Sequence, residues 1–278
     1  MEGELQEEQW ELIAPLLPKP KRRGRPRAED RRTLNGILWV LRSGARWKDL
    51  PPKYGSRSTC HRRLQEWQDQ GVWEGIRLKF LSILDAQAKL DWNQAFLDGQ
   101  LRAWQKGGED IAYGWKGKGS TIHLVTEGKG LPLAFLVTAA NVSEVTVGLE
   151  VLDQVKVPRP QGRPRQRPAS LAADKSYDSA DLRWELRRRG IQPSIPQRKL
   201  QNRRRRPGRL PQVHPVSQSR WKVERSHGWL DNWRRLVTRY DWYTQSYIAF
   251  LTIACFMTLL SRILGLVRGS DVPECYEE

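Results

Sequence analysis

The chain is poor in the residues that build redox and zinc chemistry. It has three cysteines, Cys60, Cys255 and Cys275, widely spaced and with no CxxC pair. Neither a disulfide framework nor a zinc site is indicated. Histidine is scarce as well, and the four at positions 61, 123, 214 and 227 follow no metal-ligand spacing. His123 alternates with strand-like neighbours and reads as structural. His227 falls three residues after Glu224 on one helix, within reach of whatever Glu224 builds. Long apolar runs are missing too. The longest, Ile248 to Leu260, is short of a bilayer span and is followed by Arg262, so it reads as a buried core helix. The acidic opening MEGELQEEQWELI has no signal-peptide pattern, and the expectation is a reducing, cytoplasmic setting.

Acidic residues are also in short supply. Lys plus Arg number 48 against 31 Asp plus Glu, a formal net charge of +17. That excess is the electrostatic footprint of a protein that meets a polyanion, DNA or RNA first. Membrane surface is the rival, but no basic amphipathic anchor stands out. Many arginines fall in turns and linkers, as in KPKRRGRPR and QNRRRRPGRL. Hydrophobic residues make up 38% of 278 residues, enough for a buried core in one large domain or two.

The pattern along the chain changes near Trp92. Before it, apolar spacing predicts helices over 5–17, 29–43, 57–70 and 72–88, an all-helical segment spanning residues 1–90. After it come three short strand-like runs, NQAFLDGQLRAW, STIHLVTEG and LPLAFLVTAANV, with a turn at Gly128–Gly130. A helix follows from Ser143, then the strand ASLAADKSY, a helix over 179–189, the short strand QPSIPQR, and helices over 217–236 and 245–265. This β-β-β-α-β-α-β-α order is an α/β layer arrangement over 91–268, with an antiparallel start and a later crossover. Residues 269–278 read as a tail.

Among the few acids, three occupy suggestive places. Asp98 follows the apolar run Ala95–Leu97, and Asp174 ends the small-residue run SLAAD. Glu224 lies on an amphipathic helix, with Arg220 and Asp231 at positions that share its face. Carboxylates from two strand ends and a helix can hold two divalent ions, a clamp for phosphodiester chemistry. Taken singly, each has an ordinary reading: a turn aspartate, a strand-end aspartate, an i,i+4 ion pair with Arg220. Asp178 reads as the cap of the next helix. Lys116 and Lys118, in the glycine-rich AYGWKGKGST, suit approach to a phosphate or a plain hairpin loop. Helices 29–43 and 57–70 suit a helix-turn-helix with Arg57, Ser58, His61, Arg62 and Gln65 toward the major groove; a helical bundle with a basic surface is the alternative. GRPR occurs at 24–27 and 162–165, and Arg25 and Arg27 suit a minor groove or a basic linker. Of the thirteen tryptophans, most read as core. Trp104 and Trp115 fall in loop-like stretches, where one could stack on a displaced base.

Together, DGQLRAW, GWKGKGSTIHLVTEGKGLPLAFLVTAANVSE, AADKSYDS and RWKVERSHGWLDNWRRLVTRY resemble the insertion-sequence DDE transposases of the insertion-sequence-five type. The N-terminal segment from WELIAPLLP to HRRLQEW resembles the helical module ahead of the catalytic domain in that group. The resemblance runs from about residue 9 to 265. It implies an RNase H-like catalytic core preceded by a small all-α, helix-turn-helix-like domain. It implies Asp98, Asp174 and Glu224 as a triad for Mg²⁺, with Mn²⁺ able to substitute, that serves two-metal hydrolysis and strand transfer. Double-stranded DNA, as inverted repeats and as target, is the implied partner, and pairing two ends implies at least a homodimer. Lys175, Arg220, Arg225, Arg234 and Arg235 join the expected DNA contacts. Arg220 matches the signature arginine four residues before the Glu. The signature's Tyr and Lys are replaced by Ser217 and Asp231, and Arg234 or Arg235 stands as a substitute for the lysine. The alternative is a catalytically inactive or domesticated DNA-binding protein.

Overall fold

The computed structural model describes residues 4–19, 27–104, 107–197 and 220–266. Arg25, His214, Ser217 and the 269–278 tail lie outside the described residues. The helical segment holds α1 (Glu7–Ile13), α2 (Asp30–Ser43), α3 (Arg57–Asp69) and α4 (Val72–Ala86). α2 buries Leu34, Ile37, Leu38 and Leu41, the i, i+3, i+4, i+7 stripe of its sequence. It stops at Gly44, whose φ of 70° supplies the left-handed cap that few other residues adopt. The link to α3 contains two short 3₁₀ turns, at Trp47–Asp49 and Pro52–Tyr54.

The second segment is built on one sheet. Its strands are β1 (Ala95–Trp104), β2 (Ala112–Gly114), β3 (Gly117–Glu127), β4 (Pro132–Ala139), β5 (Ser170–Ala173), β6 (Gln192–Ser194) and β7 (Thr238–Arg239). β3 lies antiparallel between β1 and β4. β5 pairs parallel with β1, and β6 parallel with β5. Leaving aside the short β2 and β7, the five main strands run β4-β3-β1-β5-β6. In chain order that is 3-2-1-4-5 with the second strand reversed, the RNase H-like arrangement. The turn from β3 to β4 is organised by buried Glu127, whose carboxylate accepts the backbone N–H groups of Asp91, Lys129 and Leu131 at 2.6, 2.9 and 2.9 Å. The same side chain thereby fixes the entry into β1.

Among the described residues, five helices accompany the sheet: α5 (Glu144–Asp153), α6 (Ala180–Arg188), α7 (Trp221–Asp231), α8 (Arg234–Val237) and α9 (Thr244–Ile263). Three expectations need correction. The single helix expected over 217–236 is two helices, because Trp233 is extended at φ −96° and ψ 91°. Ser179 caps α6, accepting from Leu182 N–H, while Asp178 pairs with Arg183 at 2.7 Å. The last apolar run belongs to a 20-residue helix, α9, long and apolar enough by composition to cross a membrane. Here it is packed inside the protein, with Tyr247, Phe250, Ile253, Ala254 and Phe256 fully covered. α9 lies against α3 and α4. Phe256 stacks on Trp73 at 6.1 Å and meets Phe80 edge-on at 6.1 Å. One apolar cluster thus runs from Leu5 through the sheet to Leu260.

Candidate active site

The middle of β1, the end of β5 and one helix face bring the three expected carboxylates together. Asp98, expected at a strand end, is the fourth of ten residues in β1, and its strand runs on because Gly99–Ala103 continue the ladder with β3. Asp98 lies on β1 where that strand pairs with Leu124 of β3. Asp174 follows β5 directly and caps a 3₁₀ turn, accepting its neighbour Lys175 N–H at 2.6 Å. Because β5 is parallel to β1, with Leu97 opposite Ala173, the residues that follow these partners emerge side by side. Glu224 comes from α7, which packs on β1 and β3.

One cation reaches all three. The Arg220 guanidinium stands 3.0 Å from Asp174 Oδ1, 3.5 Å from Glu224 Oε1 and 3.9 Å from Asp98 Oδ1. Among the described residues no three carboxylate, imidazole or thiol groups are drawn close enough to enclose a metal ion. The guanidinium lies among them instead. The donor chemistry still fits a hard divalent cation, because every side chain that converges on Arg220 offers carboxylate oxygen and none offers sulfur.

The electrostatics single out Asp98. Burial pushes its carboxyl up to about 6, against the downward pull of Arg220, with Glu144 and Glu224 adding to the rise. In sequence Glu144 is an ordinary first-turn acid of the helix that follows Ser143. Space shows its position: a Cβ built on Gly99 would meet Glu144 Oε1 at 3.2 Å, Tyr177 Oη at 3.0 Å and His123 Nδ1 at 3.3 Å. Behind Asp98 runs a buried polar line, with His123 Nδ1 3.0 Å from Tyr177 Oη and His123 Nε2 3.0 Å from Thr138 Oγ1. Burial holds His123 down near 4 and pushes Tyr177 well up. His227 Nε2 lies 3.7 Å from Asp98 Oδ2. Burial first, then the charge of Arg102, keeps this imidazole neutral, down at about 3.

The face of α7 continues this match. Glu224, His227 and Asp231 follow one another along the helix as Asp98, Gln100 and Arg102 do along β1. Asp231 pairs with the buried Arg102, which also donates to Gln100 Oε1 at 2.9 Å. The departure at Asp231 is therefore compensated from the strand.

The expected DNA contacts divide. Arg57, Ser58, Arg62, Lys116, Lys175 and Arg234 are exposed. His61 leaves the exposed face of α3 and packs edge-on against Trp47 at 5.1 Å. Arg27 is held by Asp30 at 2.7 Å and by the Trp67 ring. Arg225 is sandwiched between Trp221 and Trp229, 4.9 Å from each ring, and donates to Lys129 O. Arg235 is a correction: it is 6% exposed and forked onto Asp241 at 2.8 and 3.1 Å. A side chain so enclosed is structural. Lys118 belongs to β3, opposite Tyr113, so the expected glycine-rich loop is a paired hairpin.

Three carboxylates around one arginine at the end of an RNase H-like sheet define a carboxylate-triad protein of the nuclease type. Residues 93–259 match the family model described as "Transposase DDE domain", and residues 5–77 match that of the "Putative transposase of IS4/5 family". The chain belongs to the DDE transposase-domain family of the IS4/5 kind. A Burkholderia cepacia protein described as "Putative transposase for insertion sequence element IS402" is 38% identical over 138 residues, 49% of this chain and 61% of that protein. The chain thus spans about three fifths of that relative. A second B. cepacia protein, "Insertion element IS402 uncharacterized 16.2 kDa protein", is 44% identical over 101 residues, 34% of this chain and 69% of its own length. Among solved structures, the Mos1 transposase paired-end complex with left transposon end is similar at 12% identity and TM-score 0.30, over 88% of this chain and 82% of that one.

Proposed function

We propose that the chain is a DNA transposase that binds the terminal inverted repeats of its insertion sequence, cleaves there, and joins the freed strand to target DNA. The observation that carries this is the reach of Arg220 to Asp98, Asp174 and Glu224 together. Those three carboxylates would hold Mg²⁺, with Mn²⁺ as substitute. The bound ion supplies Lewis-acid stabilisation of the attacking and leaving oxygens. Arg220 offsets carboxylate charge and sits where its planar fork can turn toward a substrate phosphate. In the first reaction water adds to phosphorus at the element end, the P–O bond breaks, and a 3′-OH is freed. In the second that 3′-OH displaces a bridging oxygen in target DNA. No side chain forms a bond to DNA in either step.

The exposed Arg57, Ser58 and Arg62 on α3 would meet the repeat, and Lys175 the strand near the site. Two ends must be held at once, so the working form is at least a dimer, acting on DNA in the bacterial cytosol. The test uses a labelled duplex carrying one repeat end that flanks the gene, with and without Mg²⁺. Nicking at the repeat boundary is expected, and Asp98→Asn and Glu224→Gln should lose it while keeping end binding. Specific binding without Mg²⁺- or Mn²⁺-dependent cleavage would instead identify an inactive DNA-binding derivative.

A further inference from the structure

Exposed tryptophan is costly, because a large apolar face left in water forgoes the stabilisation that burial brings. Trp115 is nonetheless fully exposed, at 102%, and Tyr113 is 76% exposed. They are not on a loose loop. Ala112–Gly114 pairs antiparallel with Gly117–Gly119, leaving Trp115 and Lys116 as a two-residue tip. Gly117, at φ +129°, supplies a conformation open to few other residues. Lys118 reaches over two rings, Nζ 4.9 Å from the Trp104 centroid and 5.2 Å from that of Tyr113. The strand beyond is packed closely on β1, since a Cβ on Gly119 would fall 2.1 Å from Arg102 O.

A strap of backbone joins this hairpin to a second exposed aromatic group. Glu109 N–H donates to Trp242 O at 3.0 Å, Thr244 N–H to Glu109 Oε2 at 3.1 Å, and Ser120 Oγ to Asp110 O at 2.6 Å. Trp242 and Tyr243, 59% and 57% exposed, are fixed beside the strap. The acids of the strap are occupied by these bonds and by Thr244 Oγ1 on Asp110 at 2.8 Å. The charge at the tip itself is Lys116.

We infer that the β2–β3 hairpin is a base-stacking wedge for DNA, with Trp115 as the inserted ring and Lys116 as the neighbouring phosphate contact. This rests on the proposed DNA substrate and adds where along the DNA a base is unstacked. An aromatic carried on a paired hairpin stacks with little backbone cost, and any base offers a π-face. A second copy of the chain is disfavoured as occupant, because it too carries +17 and would meet lysine with like charge. The strand pair gives a distance. Seven residues separate Gly117 from Leu124, the partner of Asp98, which is about 24 Å at ~3.4 Å per residue. That corresponds to roughly seven base pairs from the reacting phosphate at ~3.4 Å per step.

The experiment measures binding of labelled oligonucleotides to the full chain by fluorescence anisotropy. One probe is an intact duplex, the other the same duplex with a short mismatched bubble. Trp115→Ala should weaken bubble binding about tenfold and leave intact-duplex binding within about twofold. Trp115→Tyr should restore most of the loss. Equal affinity of Trp115→Ala and the unaltered protein for the bubble overturns the wedge. A change of sedimentation state in Trp115→Ala, without change on either probe, also overturns it and assigns the tip to self-association. If the unaltered protein binds neither probe, the DNA reading itself fails, a result distinct from loss of the wedge alone.

Discussion

At the scale of single residues, the site opposes two kinds of titration. Asp98 is raised from 3.8 to about 6. Between those values the native state holds a proton that the unfolded chain lacks, so this group lowers stability as pH rises. His123 and His227 fall from 6.5 to about 4 and about 3. Below 6.5 the unfolded chain protonates both while the native state does not, so they lower stability as pH falls. Across pH 4 to 6 two histidines stand against one aspartate, and the unfolded state leads by one proton. These three groups alone give a slope of about 1.4 kcal/mol per pH unit, with stability lost toward acid. Asp98→Asn removes the opposing group, so its slope should steepen by about 1.4 kcal/mol per pH unit relative to the unaltered protein. Urea unfolding across this window in metal-free buffer measures it, and parallel curves for the two proteins would refute the raised Asp98. A neighbouring pair makes a second residue-scale contrast. Arg235→Ala leaves the 8%-exposed Asp241 without its partner and should cost about 3–5 kcal/mol. Arg234→Ala, on the surface, should cost under about 0.5 kcal/mol, and calorimetry separates the two. Sequence could not make that distinction. Both are arginines in one short run, and only the break at Trp233 turns one of them inward.

At the scale of elements, the legible features were those with a local cause. The α2 stripe and its glycine stop were readable from spacing, as were the succession of the main strands along the chain and the place of Asp174 at the end of β5; Asp98, expected at a strand end, lies inside β1. The features that escaped are pairings too short or too distant in the chain to leave a local pattern. β2 is three residues whose partner is its own hairpin, so AYGWKGKGST read as loop. Glu144 looked like a first-turn acid until α5 was packed beside Gly99. Asp231 stood out as a departure from the family signature, but its reason, Arg102, is 129 residues away. That pairing gives a test at this scale. Asp231→Lys restores the signature residue yet places a second cation against a guanidinium whose side chain is 3% exposed. It should destabilise the β1–α7 contact by on the order of 3 kcal/mol, with Asp231→Asn costing less. Thermal unfolding of the two variants decides. If Asp231→Lys is as stable as the unaltered protein, the helix and strand are not matched through this pair.

At the scale of the whole molecule, charge was readable and connectivity was not. The +17 excess announces a polyanion whatever the fold, and change in residue pattern near Trp92 suggested separate helical and catalytic segments. The core runs across that change. α9, the last of the described helices, is apolar around most of its circumference, and the partners that cover it include Trp73 and Phe80 of α4 and Trp47 of the α2–α3 link. α8 packs on α2, and Arg235 on α8 donates to Ala45 O at 3.3 Å. Each large apolar side chain uncovered forfeits about 1.5–3 kcal/mol, and several would be uncovered at once against a net stability of about 5–15 kcal/mol for a typical domain. A fragment beginning at residue 91 should therefore be insoluble or bind a hydrophobic dye, and the full chain should unfold in a single transition with no separate helical step. Coincident loss of far-ultraviolet ellipticity and of tryptophan fluorescence is the expected result. Two resolved transitions, with a soluble and folded 91–266 fragment, would mean that the helical segment is an independent unit resting on the sheet. In the coupled case α3, proposed to meet the repeat end, and α7, which carries Glu224, share one core, so substitutions that loosen α9 should weaken binding and cleavage together.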